Sequence, residues 1–306
     1  MEITSRIPQL VVYGLVSGSI ITLGAIGLSL TYGILRFANF AHGDVMATGA
    51  FLAFAFLGFF QGLNLPSTPF HPLSFGLPLL LAFILSMIVT GGVAIGIDRV
   101  IYKRLRTTGR ITLLISSVGV AFILRNALQF IWGPDPRYYI KKIQIAIRIP
   151  GLGVRIKPDE IFIIAVASCL VIFLHFFLTN TRMGKAMRAT SDNMDLAQVS
   201  GIDTENVIKW TWAIGSALAA AGGVLAGIEN KFITPNLGWN MLLPIFAAVI
   251  LGGIGSPYGA MLGGMIIGLS AEISTAFIST SYKPAVAFII MVVMLLIKPR
   301  GLLGEK

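Results

Sequence analysis

Residues 8–35 read PQLVVYGLVSGSIITLGAIGLSLTYGIL and contain no charged side chain. About 20 consecutive apolar residues in a helix are enough to span the hydrocarbon core of a bilayer. Other charge-free stretches of similar or greater length lie between Glu160 and Arg182, between Lys209 and Glu229, and between Lys231 and Glu272. Because a chain in lipid must satisfy its own backbone hydrogen bonds, these runs predict membrane-spanning helices.

The composition argues against a soluble protein. Of the 306 residues, 56% are hydrophobic and only 12% are charged, and the mean hydropathy is +0.85. A soluble fold of this composition would expose large apolar patches to water. The first run is too long for a signal peptide and lacks a small-residue cleavage pattern, so we interpret it as a retained span. The single cysteine, Cys169, can form neither an internal disulfide nor a Cys-rich metal site.

The predicted fold is an all-α polytopic membrane protein, a bundle of about eight or nine transmembrane helices in one membrane-embedded domain over residues 1–306. The predicted spans cover residues 10–34, 44–62, 77–97, 111–132, 160–179, 207–228, 241–255, 259–278 and 284–297. The count depends on whether Ile250–Tyr258 joins full helices or half helices, so the prediction includes broken or re-entrant segments.

Glycines recur at a spacing that lets helix backbones pack closely. The pairs are Gly14 and Gly18, Gly92 and Gly96, Gly223 and Gly227, Gly259 and Gly263, and Gly264 and Gly268. Two Gly-interrupted apolar segments, Gly33–Gly49 and Gly252–Gly268, lie near opposite ends of the chain and suggest the internal repeat found in many transport folds.

Basic clusters indicate the orientation in the membrane. We expect the clusters at Arg99–Arg110, Arg182–Arg188 and Lys298–Lys306 to face the cytoplasm. Residues 133–158 then form an ordered external loop, with a short extended piece at Ile143–Ile149, although this loop is itself basic. The net charge of +10 is explained by these clusters beside apolar spans, so no nucleic-acid partner is expected.

The stretch Ile34–Gly49 reads ILRFANFAHGDVMATG and carries polar groups at membrane depth. Asn39, His42 and Asp44 are costly in hydrocarbon, so we expect them to face protein or a water-filled path. In the alternative interpretation the stretch is an interfacial loop, and His42 and Asp44 merely cap the next helix.

A second candidate is Leu251–Gly264, which reads LGGIGSPYGAMLGG. Its candidate path residues are Gly252, Gly253, Gly255 and Ser256. A broken helix here would free backbone amides that can hold an anionic group such as a carboxylate, whereas the alternative is an ordinary turn at the cytoplasmic surface. Arg125 lies inside a predicted span without an evident partner. It could form a buried ion pair or contact the substrate. Glu272 in the eighth predicted span could have either of these roles. The simpler explanation is that its side chain extends to the membrane interface, because Glu272 lies near a helix end.

The segment 180–206 lies between two spans and predicts a short helix. Asp192 is a candidate cap at its start and Gly201 a candidate stop at its end. A short capped helix of this kind is more often a docking element than a catalytic one. No phosphate-binding loop, His-Glu-x-x-His pattern or nucleophile elbow occurs in the chain, so we expect neither ATP hydrolysis nor other enzyme activity.

Four stretches together resemble the LivH-type permease of branched-chain amino-acid ABC importers. They are NFAHGD at Asn39–Asp44, RMGKAMRA at Arg182–Ala189 followed by SGI at Ser200–Ile202, LGGIGSPYGAMLGG at Leu251–Gly264, and KPRGLLG at Lys298–Gly304. The resemblance covers nearly the whole chain. It implies a multi-pass permease of the bacterial inner membrane that moves branched-chain or other neutral amino acids.

The resemblance also implies partners. They are a second related permease, two cytoplasmic ATPase subunits that use the ATP, and a periplasmic substrate-binding protein; this chain itself needs no cofactor or metal. The implied coupling residues are Arg182, Gly184, Lys185, Arg188, Asp192, Ala197 and Gly201. Two alternatives stay open: the same family contains permeases for urea and short amides, and an ion-coupled secondary transporter could use Asp44, Glu229 or Glu272. A membrane-embedded enzyme would need a convergent catalytic set, which the sequence does not show.

Overall fold

The computed structural model describes residues 2–63, 65–66, 68–140, 144–148 and 153–304, with backbone only for residues 2–5. The helices are α1 Glu2–Leu35, α2 His42–Gly62, α3 Leu77–Ile97, α4 Lys103–Leu105, α5 Arg110–Trp132, α6 Pro158–Asn180, α7 Arg182–Asp192, α8 Met194–Val199, α9 Thr204–Asn230, α10 Leu237–Gly252, α11 Pro257–Ser274 and α12 Lys283–Ile297. A π turn, Asp98–Tyr102, joins α3 to α4, and a 3-10 turn, Thr280–Tyr282, precedes α12.

The predicted all-helical membrane fold is confirmed. Each of the nine predicted spans coincides with a helix, and within the described residues seven helices are long and apolar enough to cross a membrane. Helix α10 is apolar but shorter, with 16 residues. The only strands in the described part of the chain are β1, Ile147–Arg148, and β2, Arg155–Ile156, which pair antiparallel. The expected extended piece at 143–149 falls partly outside the described residues. Lys141, Lys142, Pro150 and Gly151 lie wholly outside them.

Helices α1 and α9 form the centre of the bundle because glycines let them approach closely. A Cβ on Gly27 would overlap the carbonyl of Gly215, and a Cβ on Gly222 would lie 3.3 Å from the carbonyl oxygen of Ile20, so the two helices run antiparallel. Most of the predicted close-packing glycines do meet a neighbouring helix. Gly92 and Gly96 do not: nothing lies within 4 Å of either Cβ position, and for this pair the prediction is wrong.

The described residues of the three basic clusters gather at one end of the bundle, which we call the basic end. There Arg106 and Lys103 bind Glu205 at the start of α9, each with a distance of 2.8 Å. The Arg36 guanidinium donates to the Ser191 carbonyl in α7. The described residues of the segments 65–76 and 133–157, together with residues 231–236, lie at the opposite end, the loop end. The basic clusters and the predicted external loop thus lie at opposite ends of the bundle. That the basic end faces the cytoplasm stays a prediction.

Two connections re-enter the bundle. After α1 reaches the basic end, residues 36–41 turn back, and the His42 ring nitrogen Nε2 binds the Gly24 carbonyl oxygen at 2.9 Å. Gly24 lies eleven residues before Leu35, so α2 begins about 16 Å inside the end of α1 at 1.5 Å per residue. After α9 reaches the loop end, residues 231–236 return in the same way to the start of α10. The two breaks are inverted relative to each other, and the second lies at 231–236 rather than in the Gly252–Gly268 segment that we expected.

Candidate functional site

The N-termini of α2 and α10 meet inside the bundle. A Cβ on Gly43 would overlap the Gly238 carbonyl, and a Cβ on Gly238 would overlap that of Gly43, so the two backbones touch. Neither helix has a side chain that caps its first turn. Since a helix N-terminus presents unpaired N–H groups and a partial positive charge, this junction places two such ends side by side at membrane depth.

An ion pair lies directly beside this junction. Arg125 of α5 donates from Nε and Nη2 to the two carboxylate oxygens of Asp44, both at 3.0 Å. Asp44 is fully buried, and the Arg125 side chain is 13% exposed. The guanidinium also stacks over the rings of Trp239 (4.9 Å) and Phe122 (5.7 Å). Asp44 is therefore the partner of Arg125 that the sequence left unidentified. Both are predicted path residues, and they lie 81 positions apart.

His42 and Asn39 hold the re-entrant segment in place. A carbonyl can only accept a hydrogen bond, so His42 carries its ring proton on Nε2 toward Gly24. The Asn39 Oδ1 accepts from the Ala41 amide (3.1 Å) and from the Tyr102 hydroxyl (3.3 Å). Its Nδ2 is buried and has no partner among the described residues. The alternative in which His42 and Asp44 merely cap α2 does not fit, because Ala41 is the N-cap and Asp44 binds Arg125.

The Gly252–Ser256 turn lies elsewhere, at the basic end. It connects α10 to α11, and the amides of Leu302 and Leu303 donate to the carbonyls of Leu251 and Gly252, both at 2.9 Å. Ser256 caps α11 by accepting from the Gly259 amide. The structure therefore does not bring Gly252, Gly253, Gly255 and Ser256 together with Asp44, and their place in the substrate path stays a prediction.

The predicted coupling segment forms two helices at the basic end. Thr181 caps α7, and Gly184, Met187 and Thr190 bury one face of it. Arg182, Lys185 and Arg188 are exposed on the other face. Ser191, at the end of α7, donates from its hydroxyl to the Gly33 carbonyl at 3.2 Å. Helix α7 is thus tied to the end of α1 and, through Arg36, to the re-entrant segment.

Two details of this segment correct the sequence prediction. Asn193, not Asp192, caps α8, since its Oδ1 accepts from the Leu196 amide at 3.0 Å, whereas Asp192 ends α7. Gly201 ends the turn after α8 with φ +86°, as expected. Ala197 is buried within the chain at 4% exposure, so it does not offer an open face to a partner. The exposed apolar side chains of α8 are instead Leu196 (62%) and Val199 (82%).

The loop end contains a hub that the sequence did not reveal. Asp159 accepts from Lys231 Nζ (2.7 Å), from the Ser74 amide (3.0 Å) and from Gln144 (3.2 Å), so it joins three connecting segments. Its only signal in the sequence was a charge at the start of a predicted span. Nearby, Tyr139 donates its hydroxyl to the Ala50 carbonyl at 2.7 Å, and burial raises its pKa well above the ordinary value.

An all-helical bundle with a charged, re-entrant junction at membrane depth and an amphipathic helix at its basic end fits a membrane transport permease. The chain matches the family described as "Branched-chain amino acid transport system / permease component" over residues 10–295, and it belongs to that family. It is a transport subunit and not an enzyme.

Similar proteins agree with this assignment. The high-affinity branched-chain amino acid transport system permease protein BraD of Pseudomonas aeruginosa is 35% identical, over 97% of this chain and 95% of that protein. LivH of Escherichia coli K12, named for the same kind of system, is 32% identical over 95% of this chain and 94% of its own. A probable LivH of Methanocaldococcus jannaschii is 28% identical, with 95% and 90% covered. No solved structure matches the chain.

Proposed function

We propose that this chain is a permease subunit of an ABC importer for branched-chain or other neutral amino acids in a bacterial inner membrane. It pairs with a second, related permease, while two cytoplasmic ATPase subunits bind the ATP and a periplasmic binding protein delivers the substrate. The names of BraD and LivH support the substrate class. The chain itself requires no cofactor.

The observation that carries this proposal is the meeting of α2 and α10 beside Asp44 and Arg125. Charges at membrane depth are costly unless they are paired or face water. Trp239 and Phe122, which flank Arg125, are half exposed, so this site opens on one side of the chain. We place the substrate path on that side. The two helix N-termini offer backbone N–H groups to the substrate carboxylate as it passes.

The proposed coupling runs through α7. An ATPase subunit binds the exposed faces of α7 and α8, and its closure moves the Ser191 contact with Gly33 and Arg36. Because residues 36–41 lead directly to Asn39, His42 and Asp44, a shift of α7 reaches the junction through one short segment. Such a connection is a physical route and needs a coupling measurement to support it.

The test is reconstitution of the chain with its partner permease, ATPase subunits and binding protein in liposomes. We expect uptake of labelled leucine that requires internal ATP and no ion gradient. Uptake driven by a proton or sodium gradient without ATP would identify an ion-coupled transporter instead. ATP-driven uptake of urea in preference to leucine would move the substrate to short amides.

A further inference from the structure

A cavity of about 170 Å³ lies between α1, α9, α10, α11 and α12, toward the loop end. Its walls are apolar where they are deepest, with Ile20, Ile21 and Ile267 buried. Its polar groups, Glu229, Lys283 and Asn230, are partly or fully exposed and mark its mouth. A cavity of about 150 Å³ is enough to bind a ligand of the size of benzene.

The charges of the cavity are mixed. Glu272 accepts two hydrogen bonds from Lys283 Nζ, both at 2.7 Å, and a third from the Ser17 hydroxyl at 3.0 Å. An ammonium group has three donors, so Lys283 keeps one for a further acceptor. The cavity therefore presents a cationic donor beside an apolar wall.

Glu229 supplies the opposite charge. It makes no hydrogen bond or ion pair within the part of the chain that the structure describes. The two lysines whose charges act on it make their ion pairs with other carboxylates, since Lys231 binds Asp159 at 2.7 Å and Lys157 binds Glu160 at 3.1 Å. A half-buried carboxylate of this kind is stabilised by a cation that enters the cavity.

We propose that this cavity binds a free apolar amino acid as a zwitterion, as a waiting site on the loop side of the junction. The Glu229 carboxylate holds the ammonium group, the remaining donor of Lys283 Nζ holds the carboxylate, and Ile20, Ile21 and Ile267 surround the side chain. This inference rests on the proposed function, because it assigns that substrate a second place in the same chain. Met241 of α10 lines the cavity two residues after Trp239, so the cavity and the junction share one helix.

The test measures binding of labelled leucine to the full chain in phosphatidylcholine nanodiscs, without the binding protein. We expect saturable binding that neither leucinol nor 4-methylpentanoate displaces, because each lacks one of the two charged groups. Glu229→Gln should weaken binding about tenfold or more, as expected for a lost charge-assisted hydrogen bond. Asp135→Asn removes an exposed loop carboxylate and should change nothing.

A second pair of variants tests the cavity itself. Ala287 lines it and is buried, whereas Ala285 on the same helix is exposed and does not line it. Ala287→Phe should abolish leucine binding and Ala285→Phe should not, with retention of both variants in the assembled complex as the folding check. No saturable binding, equal loss in the matched controls, or displacement of leucine by added phosphatidylethanolamine would overturn the proposal.

The two proposals fail separately. If the complete complex hydrolyses ATP but imports no amino acid, the proposed function is wrong. If it imports leucine while the chain alone binds none, only the waiting site is wrong.

Discussion

Three side chains stabilise the Arg125 guanidinium: Asp44 through both carboxylate oxygens, and Trp239 and Phe122 through their rings. Removing one partner of a buried ion pair typically costs about 3–5 kcal/mol, because the other charge stays behind without compensation. Replacing both partners by apolar residues is often nearly neutral. This asymmetry separates a structural role of the pair from a transport role.

We therefore expect Asp44→Leu and Arg125→Leu each to destabilise the chain by about 3–5 kcal/mol. The double variant should recover most of that loss, because it leaves no uncompensated charge behind, and a double-mutant cycle measures the coupling between the two residues. Leucine uptake should nevertheless stay absent in the double variant, because under the proposed function these charges line the substrate path. Detergent unfolding temperature and reconstituted uptake are the two measurements, and recovery of uptake together with stability would reduce the pair to a structural one.

The glycine contact at the junction gives a second prediction at this scale. Gly238→Ala inserts a methyl group where the Gly43 carbonyl lies, and overpacking of this kind costs about 1–3 kcal/mol. Gly92→Ala is the matched control, because nothing lies within 4 Å of its Cβ position and alanine favours a helix over glycine by about 0.5–1 kcal/mol. We expect a lower unfolding temperature only for Gly238→Ala. Equal temperatures for the two variants would contradict the close contact of α2 and α10.

Among the elements, α8 is too short to be stable alone, since isolated helices below about 12 residues are marginal in water. Its capping by Asn193 and the burial of Ala197 hold it to the chain, and Leu196 and Val199 then project outward. Exposed apolar side chains of a short helix at the basic end fit a protein partner. The partner that the proposed function supplies is an ATPase subunit.

Leu196→Asp and Val199→Asp should weaken binding of the ATPase subunit about tenfold or more, since burial of one such side chain contributes about 1.5–3 kcal/mol. Membrane insertion should be unchanged. Ile145→Asp is the control, because Ile145 is 87% exposed at the loop end. Co-purification of the ATPase and substrate-stimulated ATP hydrolysis measure the effect. If both match the unmodified complex, α8 does not bind the ATPase.

The elements also show what could be predicted from the sequence. The long apolar runs predicted the helices. The polar residues Asn39, His42 and Asp44 within apolar sequence predicted the first break, which lies between α1 and α2. The second break, Lys231–Asn236, reads KFITPN and looks like an ordinary short connection between helices. Its depth depends on Gly238 packing against Gly43, a tertiary contact that no local pattern carries. Asn193 rather than Asp192 caps α8 because α7 extends through Asp192. Both residue types are common helix caps, so the sequence did not show which of the two neighbours starts α8.

At the scale of the whole molecule, α1 and α9 are buried while α5, α6 and α12 are mostly exposed. An exposed surface in a membrane bundle faces lipid, another subunit or a water-filled path. The junction singles out one such surface, because Trp239 and Phe122 flank a charged pair there, whereas α6 presents apolar side chains such as Phe173. We therefore expect the substrate path to lie on the Trp239 side of the bundle.

Cysteine accessibility in the assembled, membrane-embedded complex tests that claim most directly. Cys169 is exposed and is first replaced by alanine; Trp239→Cys and Phe173→Cys are then made separately. Because water enters a substrate path but not the lipid beside α6, a charged, water-soluble thiol reagent should label the Trp239→Cys variant, and leucine delivered with its binding protein should slow that labelling. The Phe173→Cys variant should not react. Labelling of both variants at the same rate, or of neither in any nucleotide state, would contradict a path at the junction of α2 and α10.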